Sequence, residues 1–499
     1  MQKTLNKIIA TFAVFIALYH IYITVAGIKI PLLHRAFHLT WLLSLLFLRQ
    51  IEKSKTIYSK IANLLLALLC LSSGIYYWLE IDRIVDRWPF ASKMLPLDIF
   101  FGAALVILVL EGTRRWLGLP LVIVVGVMLG YTYFGNYFPG VWNHAGFTVS
   151  KIIDHLFFTT EGLFGVPISV SSTFVFLFVL FGCFLESSGG GDFFIDLGNA
   201  VAGKARGGVA KVAVVASALF GSINGSPVAN TVTTGTITIP MMKKMGYRPE
   251  FAGAVEAVAS TGGALMPPIM GTAAFMMVEV TGIPYIEIIK AAAIPALLYY
   301  YCVFLFVDFE AAKQGLKGLP KEEIPNIVEV LKRGWQFLVP IGIVVLLLVR
   351  GMAPILAAFY AMLATIVASW VRQDTRLYPL QIIKTLEKAS YTAASVSVAC
   401  AAAGIVISGI SLSALAGKTT SIILGMANEI LLPSILMTMV ICLILGMGVP
   451  LPAAYILTAT LAVPSVIRLG VPVISAHLFA VYFACISAIT PPVAVAAYA

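Results

Sequence analysis

One pattern occurs twice in this chain, 224 positions apart. Ala229 to Tyr247 reads ANTVTTGTITIPMMKKMGY and Ala453 to Val471 reads AAYILTATLAVPSVIRLGV. Ala229 thus aligns with Ala453, Thr234 with Thr458, Pro240 with Pro464 and Gly246 with Gly470. Pro267-Pro268 falls on Pro491-Pro492 in the same ungapped register. Both copies lie in hydrophobic stretches interrupted by Gly, Pro, Ser, Thr and Asn. The 499 residues are 60% apolar and only 11% charged, more apolar surface than one soluble core can bury. This composition calls for an all-α polytopic membrane protein, and paired interruptions in the two halves of such a chain point to a transporter's binding site.

The net charge of +10 comes from Lys and Arg in short clusters between apolar runs, as in topology-setting loops rather than a nucleic-acid surface. Cys70, Cys183, Cys302, Cys400, Cys442 and Cys485 stand singly, with no CxxC spacing, and read as small core residues. Lys3 and Lys7 precede an apolar run to about Ile28, which reads as an uncleaved first span. Further runs predict spans at 8–28, 36–48, 58–79, 97–112, 119–138, 168–187, 250–282, 291–308, 334–350, 352–371 and 390–412, with two special regions at 209–245 and 430–467. A cytoplasmic N-terminus puts most basic residues on inner loops, among them Lys53, Lys55, Arg114, Arg115, Lys243 and Lys244.

Charge also sets the threading of the first special region. Lys204, Arg206 and Lys211 precede it and Lys243, Lys244 and Arg248 follow it, so it enters and leaves by one face as a re-entrant hairpin with its tip at Gly221 to Pro227. The second tip is Gly446 to Pro452. An odd number of spans separates the tips, so the expected fold is an inverted-topology repeat with two re-entrant hairpins and two broken helices, plus an N-terminal helical scaffold region. The broken helices are expected at Ser260 to Pro268 and Ser487 to Pro492, where prolines remove backbone donors and glycines weaken the preceding turn. Carbonyls and hydroxyls of a tip and an adjacent unwound helix make an oxygen cage suited to Na+, and exposed helix N-termini favour an anionic substrate group.

Of Thr231, Thr233, Thr234, Thr236 and Thr238, most are expected to back-bond to the preceding turn and one or two to be functional. Glu256 and Glu279 flank the first break within an apolar span; Glu256, aligned with Ala480, either handles a cation or makes a structural hydrogen bond. His34 and His38 lack an evident third metal ligand and read as an interfacial pair.

The stretch GSINGSPVANTVTTGTITIPMMKKMGYRPEFAGAVEAVASTGGALMPPIMGTAAF resembles the large membrane subunit of tripartite ATP-independent periplasmic (TRAP) transporters. EGLFGVPISVSSTFVFLFVLFGCFLESSGGGDFFIDL resembles the TAXI branch, whose small and large membrane parts are fused. The resemblance implies a Na+-coupled importer of a small organic anion (a carboxylate). It implies an extracytoplasmic TAXI-type substrate-binding protein as partner and an elevator-type shift in a bacterial or archaeal inner membrane. It carries one cation site onto Ser222, Asn224, Gly225, Ser226, Gly262, Leu265 and Pro267, and a second onto Gly446, Gly448, Pro450, Ser487, Ile489 and Thr490. Asn230, Thr234 and Thr458 are the implied substrate contacts, and no organic cofactor is implied. The organisation expected is 1–140 as the part similar to the fused small subunit, 141–165 as an amphipathic connector, 166–330 as the first repeat, 331–388 as connecting spans and 389–499 as the second repeat.

Rival classes find less support. A channel needs a continuous polar lining, whereas the polar residues concentrate in two broken modules. A membrane enzyme needs clustered acids or a metal constellation, and no phosphate loop supports direct ATP coupling. In the repeat register Ala499 corresponds to Phe275, midway through a broken span, so the second copy is expected to be cut short of a ~30 Å crossing and to continue in a longer reading frame.

Overall fold

The structure, a computed structural model, describes residues 2–499, with side chains from Leu5 onward. Its regular structure is helical, with no strand among the described residues. In chain order α1 is Gln2–Ala26, α2 Pro31–Lys53, α3 Ile57–Leu79, α4 Ile81–Val85, α5 Pro96–Trp116, α6 Leu119–Phe134 and α7 Val149–Phe158. Next, α8 (Val166–Val170) runs through a π turn at Ser171–Val175 into α9 (Phe176–Ser187), followed by α10 Gly190–Ala202. The first copy of the repeated pattern lies in α11 Gly208–Asn224, α12 Pro227–Lys244, α13 Pro249–Gly263 and α14 Thr272–Thr281. After α15 Tyr285–Lys313, α16 Ile327–Val349, α17 Pro354–Ser369, α18 Pro379–Leu412 and α19 Leu415–Met426, the second copy lies in α20 Leu431–Gly446, α21 Leu451–Leu461, α22 Val463–Arg468 and α23 Val473–Ser487.

Nine runs among the described residues are long and apolar enough to cross a bilayer: Leu5–Ala26, Pro31–Lys53, Ile57–Leu79, Pro96–Trp116, Leu119–Tyr137, Val166–Ser187, Tyr285–Lys313, Lys321–Val349 and Pro379–Leu412. The helix expected at 390–412 starts eleven residues earlier, at Pro379, because a proline at the first helical position is preorganised and Gln381, Lys384, Glu387 and Lys388 are good helix formers. Hydropathy sees only the apolar part of such a helix. The span expected at 352–371 is shorter, 16 residues from Pro354 to Ser369, and 250–282 divides into α13 and α14 as the prolines require.

The chain forms two compact units. The first comprises Met1–Phe176 and Leu386–Ala480, the second Leu177–Thr385 and Val481–Ala499. In the first, α2 packs along α3, and a buried ionic cluster ties α3, α4, α5 and α7 together. Asp98 accepts from Tyr76 Oη (2.6 Å) and Arg83 Nη2 (2.6 Å), and Arg87 Nη2 reaches Asp154 Oδ1 at 2.6 Å. Each carboxylate is matched to a guanidinium, which offsets its desolvation. His34 and His38 are also buried. His38 Nδ1 lies 2.8 Å from His20 Nε2 and His38 Nε2 lies 2.9 Å from Ser171 Oγ, while His34 Nε2 lies 3.1 Å from Ser172 O. Sequence spacing could not bring His20 to them, because α1 and α2 meet only by tertiary packing.

In the second unit, α11, α12 and α13 pack on one another in all three pairings. An apolar cluster at their base includes Val209, Ala213, Met242, Val255 and Val307. Lys211 Nζ pairs with Asp308 Oδ1 at 2.5 Å, anchoring α11 to α15.

Candidate functional site

The first copy makes its helix pair with a two-residue connection. Gly225 ends α11 with φ +65°, a left-handed cap that glycine adopts without steric penalty. Ser226 opens α12, its Oγ accepting from Ala229 N (3.3 Å), with Pro227 at the first position. The tip is therefore Gly225-Ser226, and the helix runs through Gly221, Ser222 and Asn224, which the sequence placed in the turn. Gly221 serves close approach instead: a Cβ there would stand 2.6 Å from Gly263 Cα, so α11 and α13 cross backbone to backbone.

The helix break that follows is unwound as expected. After Gly263 the chain turns through Leu265 N to Gly262 O (2.9 Å) and Met266 N to Gly263 O (3.2 Å), and Gly271 N to Ala264 O (2.7 Å) closes the loop before α14. The Pro267-Pro268 bond is cis, and Tyr285 Oη donates to Ile269 O. The tip meets this loop: a Cβ on Gly225 would lie 2.6 Å from Met270 O and 3.0 Å from Gly271 Cα. Hairpin tip and unwound backbone are thus in van der Waals contact inside one unit.

The first proposed cation set lies wholly in this unit. Ser222 Oγ donates to Leu219 O (2.8 Å) and Asn224 Oδ1 accepts from Ser226 N (2.8 Å), each oxygen keeping lone pairs that a cation could use. Leu265 is fully buried, and a side chain on Gly262 would strike the rings of Tyr299 and Tyr300. The second set is divided between the units. Gly446, Gly448 (φ +71°) and Pro450, which carry the connection from α20 to α21, belong to the first unit. Ser487, Ile489 and Thr490, beside the cis Pro491-Pro492 bond, belong to the second. Ser487 Oγ donates to Ala484 O (2.7 Å) and Thr490 Oγ1 to Ile486 O (2.9 Å).

The implied substrate contacts are enclosed in this conformation. Asn230 is 0% exposed; its amide nitrogen donates to Ser217 O (2.9 Å) and Ser260 O (3.4 Å), lacing α12 to α11 and α13. Its Oδ1 is buried with no hydrogen-bond partner. Thr234 Oγ1 donates to Asn230 O (2.8 Å), and Thr458 Oγ1, in the first unit, donates to Tyr455 O (2.8 Å).

Beside Asn230 lies a polar centre that the sequence reading touched only at Glu256. Glu256 is 0% exposed, and its Oε1 is hydrogen bonded with Ser217 Oγ (2.9 Å), Ser260 Oγ (3.1 Å) and Thr234 Oγ1, its Oε2 with Thr238 Oγ1. The four-residue spacings Thr234–Thr238 and Glu256–Ser260 set each pair on one helix face and were the available signal; Ser217 had none. Glu279, the other acid flanking the break, is exposed.

An all-helical membrane chain with a helix hairpin seated on a proline-broken helix defines a class of polytopic transport-type folds. Within that class, a family model described as "Tripartite ATP-independent periplasmic transporter, DctM component" matches residues 104–499, and the chain belongs to that family. It is 29% identical over 202 residues to the C4-dicarboxylate TRAP transporter large permease protein DctM of Pseudomonas aeruginosa, covering 40% of this chain and 47% of that protein. To the isethionate TRAP transporter permease protein DctMQ of Oleidesulfovibrio alaskensis it is 24% identical over 325 residues, 64% of this chain and 50% of the relative. To the sialic acid TRAP transporter large permease protein SiaM of Vibrio cholerae it is 29% identical over 168 residues, 34% and 39% of the two chains. The chain spans half or less of the length of each of these curated relatives.

Proposed function

We propose that the chain is the membrane component of a Na+-coupled secondary importer of a small organic anion, a carboxylate or a similar acid, delivered by an extracytoplasmic substrate-binding protein. Family membership supports the class, and relatives named for C4-dicarboxylate, isethionate and sialic acid support an anionic cargo. The observation that carries the reading is the seating of the Gly225-Ser226 tip on the Met270-Gly271 loop, which converges oxygens from two chain interruptions. Ser222, Asn224, Gly225, Ser226, Gly262, Leu265 and Pro267 hold one Na+ in this proposal, and Gly446, Gly448, Pro450, Ser487, Ile489 and Thr490 a second. Asn230, Thr234 and Thr458 face the substrate once the helices part; the unpartnered Asn230 Oδ1 supports that role, because it is an acceptor awaiting a donor.

In the same proposal the protein belongs to the TAXI branch, residues 1–140 are the fused small subunit, the N-terminus is cytoplasmic, and transport is an elevator shift of an inverted repeat. Proteoliposomes carrying the permease and its binding protein should take up substrate with external Na+ and not in choline; equal uptake in both sinks the coupling. Ser226→Ala and Pro450→Ala should each lower Na+ affinity. In a cysteine-free background, single cysteines at Asn224 and Gly448 should react with impermeant reagents from opposite faces, and same-side labelling in every state refutes the inverted threading.

A further inference from the structure

Glu256 is an enclosed acid without a cationic partner. No ion pair among the described residues reaches it: Lys211 is held by Asp308, and Lys243 and Lys244 sit in the last turn of α12. Arg248, the N-cap of α13, is exposed and pairs with Glu310 at 3.4 Å. The other titratable groups packed around α13 include Tyr247, stacked on Phe251, Tyr299 and Tyr300 of α15, whose hydroxyls donate to Val258 O and Ala259 O (2.8 Å each), and Tyr482 and Cys485 beside Tyr299. None supplies positive charge. An ionised carboxylate enclosed in this way is strongly disfavoured, so something must neutralise it.

Three observations choose a proton over a metal cation. The hydroxyls of Ser217 and Ser260 lie 2.9 and 3.1 Å from Oε1, and Thr234 and Thr238 also bond to the carboxyl, so the hydrogen bonds of hydroxyl groups engage both of its oxygens. Thr238 Oγ1 also lies 3.0 Å from Thr234 O, and Thr234 Oγ1 lies 2.8 Å from Asn230 O. A hydroxyl has one proton, so at Thr238 as at Thr234 both contacts are hydrogen bonds only where the carboxyl is a donor, and its single proton can serve one of the two threonines. The second copy of the pattern, finally, forms its helix pair with no such acid. At the positions aligned with Ser217, Asn230, Thr238, Glu256 and Ser260 it carries Ile441, Ala454, Ala462, Ala480 and Ala484. Packing such a module therefore does not call for a carboxyl, and its presence in one copy alone points to a task.

We propose that Glu256 is a proton-binding site, neutral while α11, α12 and α13 close around it, its O–H bond breaking and the proton passing to water when these helices part. Only the use of that proton in a transport cycle rests on the transport reading above.

Infrared difference spectroscopy of the full chain in lipid nanodiscs, titrated from acid to alkali, tests this without substrate or flux. The expected result is the carbonyl stretch of a protonated carboxylic acid that fades on titration and is lost in Glu256→Gln. If no acid band distinguishes wild type from Glu256→Gln, the proposal is overturned. Ser217→Ala combined with Ser260→Ala keeps the acid and removes two donors to its ionised form, so the band should persist to more alkaline pH; an unmoved midpoint equally overturns the assignment. Uptake by the same variants in proteoliposomes with the binding protein separates the two readings: the band without uptake removes the transport proposal and leaves the proton site, and uptake without the band does the reverse.

Discussion

The two copies of the repeated pattern have similar outlines and different interiors. In the first, α12 runs unbroken from Pro227 to Lys244 across Pro240, and its buried face carries Asn230, Thr234 and Thr238 against Ser217, Glu256 and Ser260. In the second, the corresponding arm breaks at Ala462 into α21 and α22, and the matching positions are apolar except for Thr458. Among the described residues a side-chain hydrogen bond joins the second arm to its following helix, Tyr455 Oη with His477 Nδ1 at 2.9 Å, one turn earlier in the repeat register than the Thr234–Glu256 contact. The interruptions at the tip and at the Pro-Pro pair, which depend on Gly and Pro chemistry, thus recur in both copies, while the arm and the side chains filling the interior differ. A polar interior holds three helices by directional bonds and remains responsive to protonation; an apolar one holds them by close packing alone.

The most drastic way to break this contrast is to transplant the acid. Ala480→Glu would bury a carboxylate where only one aligned neighbour, Thr458, carries a hydroxyl, at a cost of several kcal/mol. Its thermal unfolding temperature should fall far more than that of Glu256→Ala, and comparable losses would mean the polar shell of the first copy is not what makes its acid tolerable. Next in size, Asn230→Leu removes the amide donor to the carbonyls of Ser217 and Ser260 and should cost about 1–3 kcal/mol in denaturant unfolding, whereas Ala454→Leu at the aligned site tests only space. Gly225→Ala sets a Cβ against Met270 O at a left-handed φ and should cost about 1 kcal/mol for the backbone alone, with further loss from the collision; tighter Na+ binding in this variant would contradict the placement of the tip.

Smaller effects lie in the first unit. Tyr455→Phe deletes one buried hydrogen bond and should lower stability by about 1 kcal/mol. His155, on α7, bonds to Ser408 Oγ (2.7 Å) and lies 3.4 Å from Glu161 Oε2. Burial holds its imidazole below the usual range, with Glu161 pulling the other way. The unfolded chain therefore takes up this proton at higher pH than the folded one. The stability contributed by neutral His155 is complete above about pH 6.5 and is lost as pH falls through that value toward the lowered folded one. Acidification should loosen the α7–α18 contact, seen as faster amide exchange in α7, and His155→Gln should flatten that response.

Composition and the two Pro-Pro pairs were enough to state an all-helical membrane chain with helix breaks after Gly263 and after Ser487, since a missing donor or a left-handed residue acts on the backbone where it stands. Gly221 was misread for a related reason: glycine breaks a helix and also lets two helices touch, and only the crossing with Gly263 tells which. The inward placement of Asn230, the shell around Glu256 and the joining of His20 to His38 were decided by tertiary structure. The bonds of Glu256 to Ser217, Thr234 and Thr238 span 39, 22 and 18 residues. No local spacing rule reaches across such intervals, because which face one helix turns toward another is set by how all three pack, not by the sequence of any one.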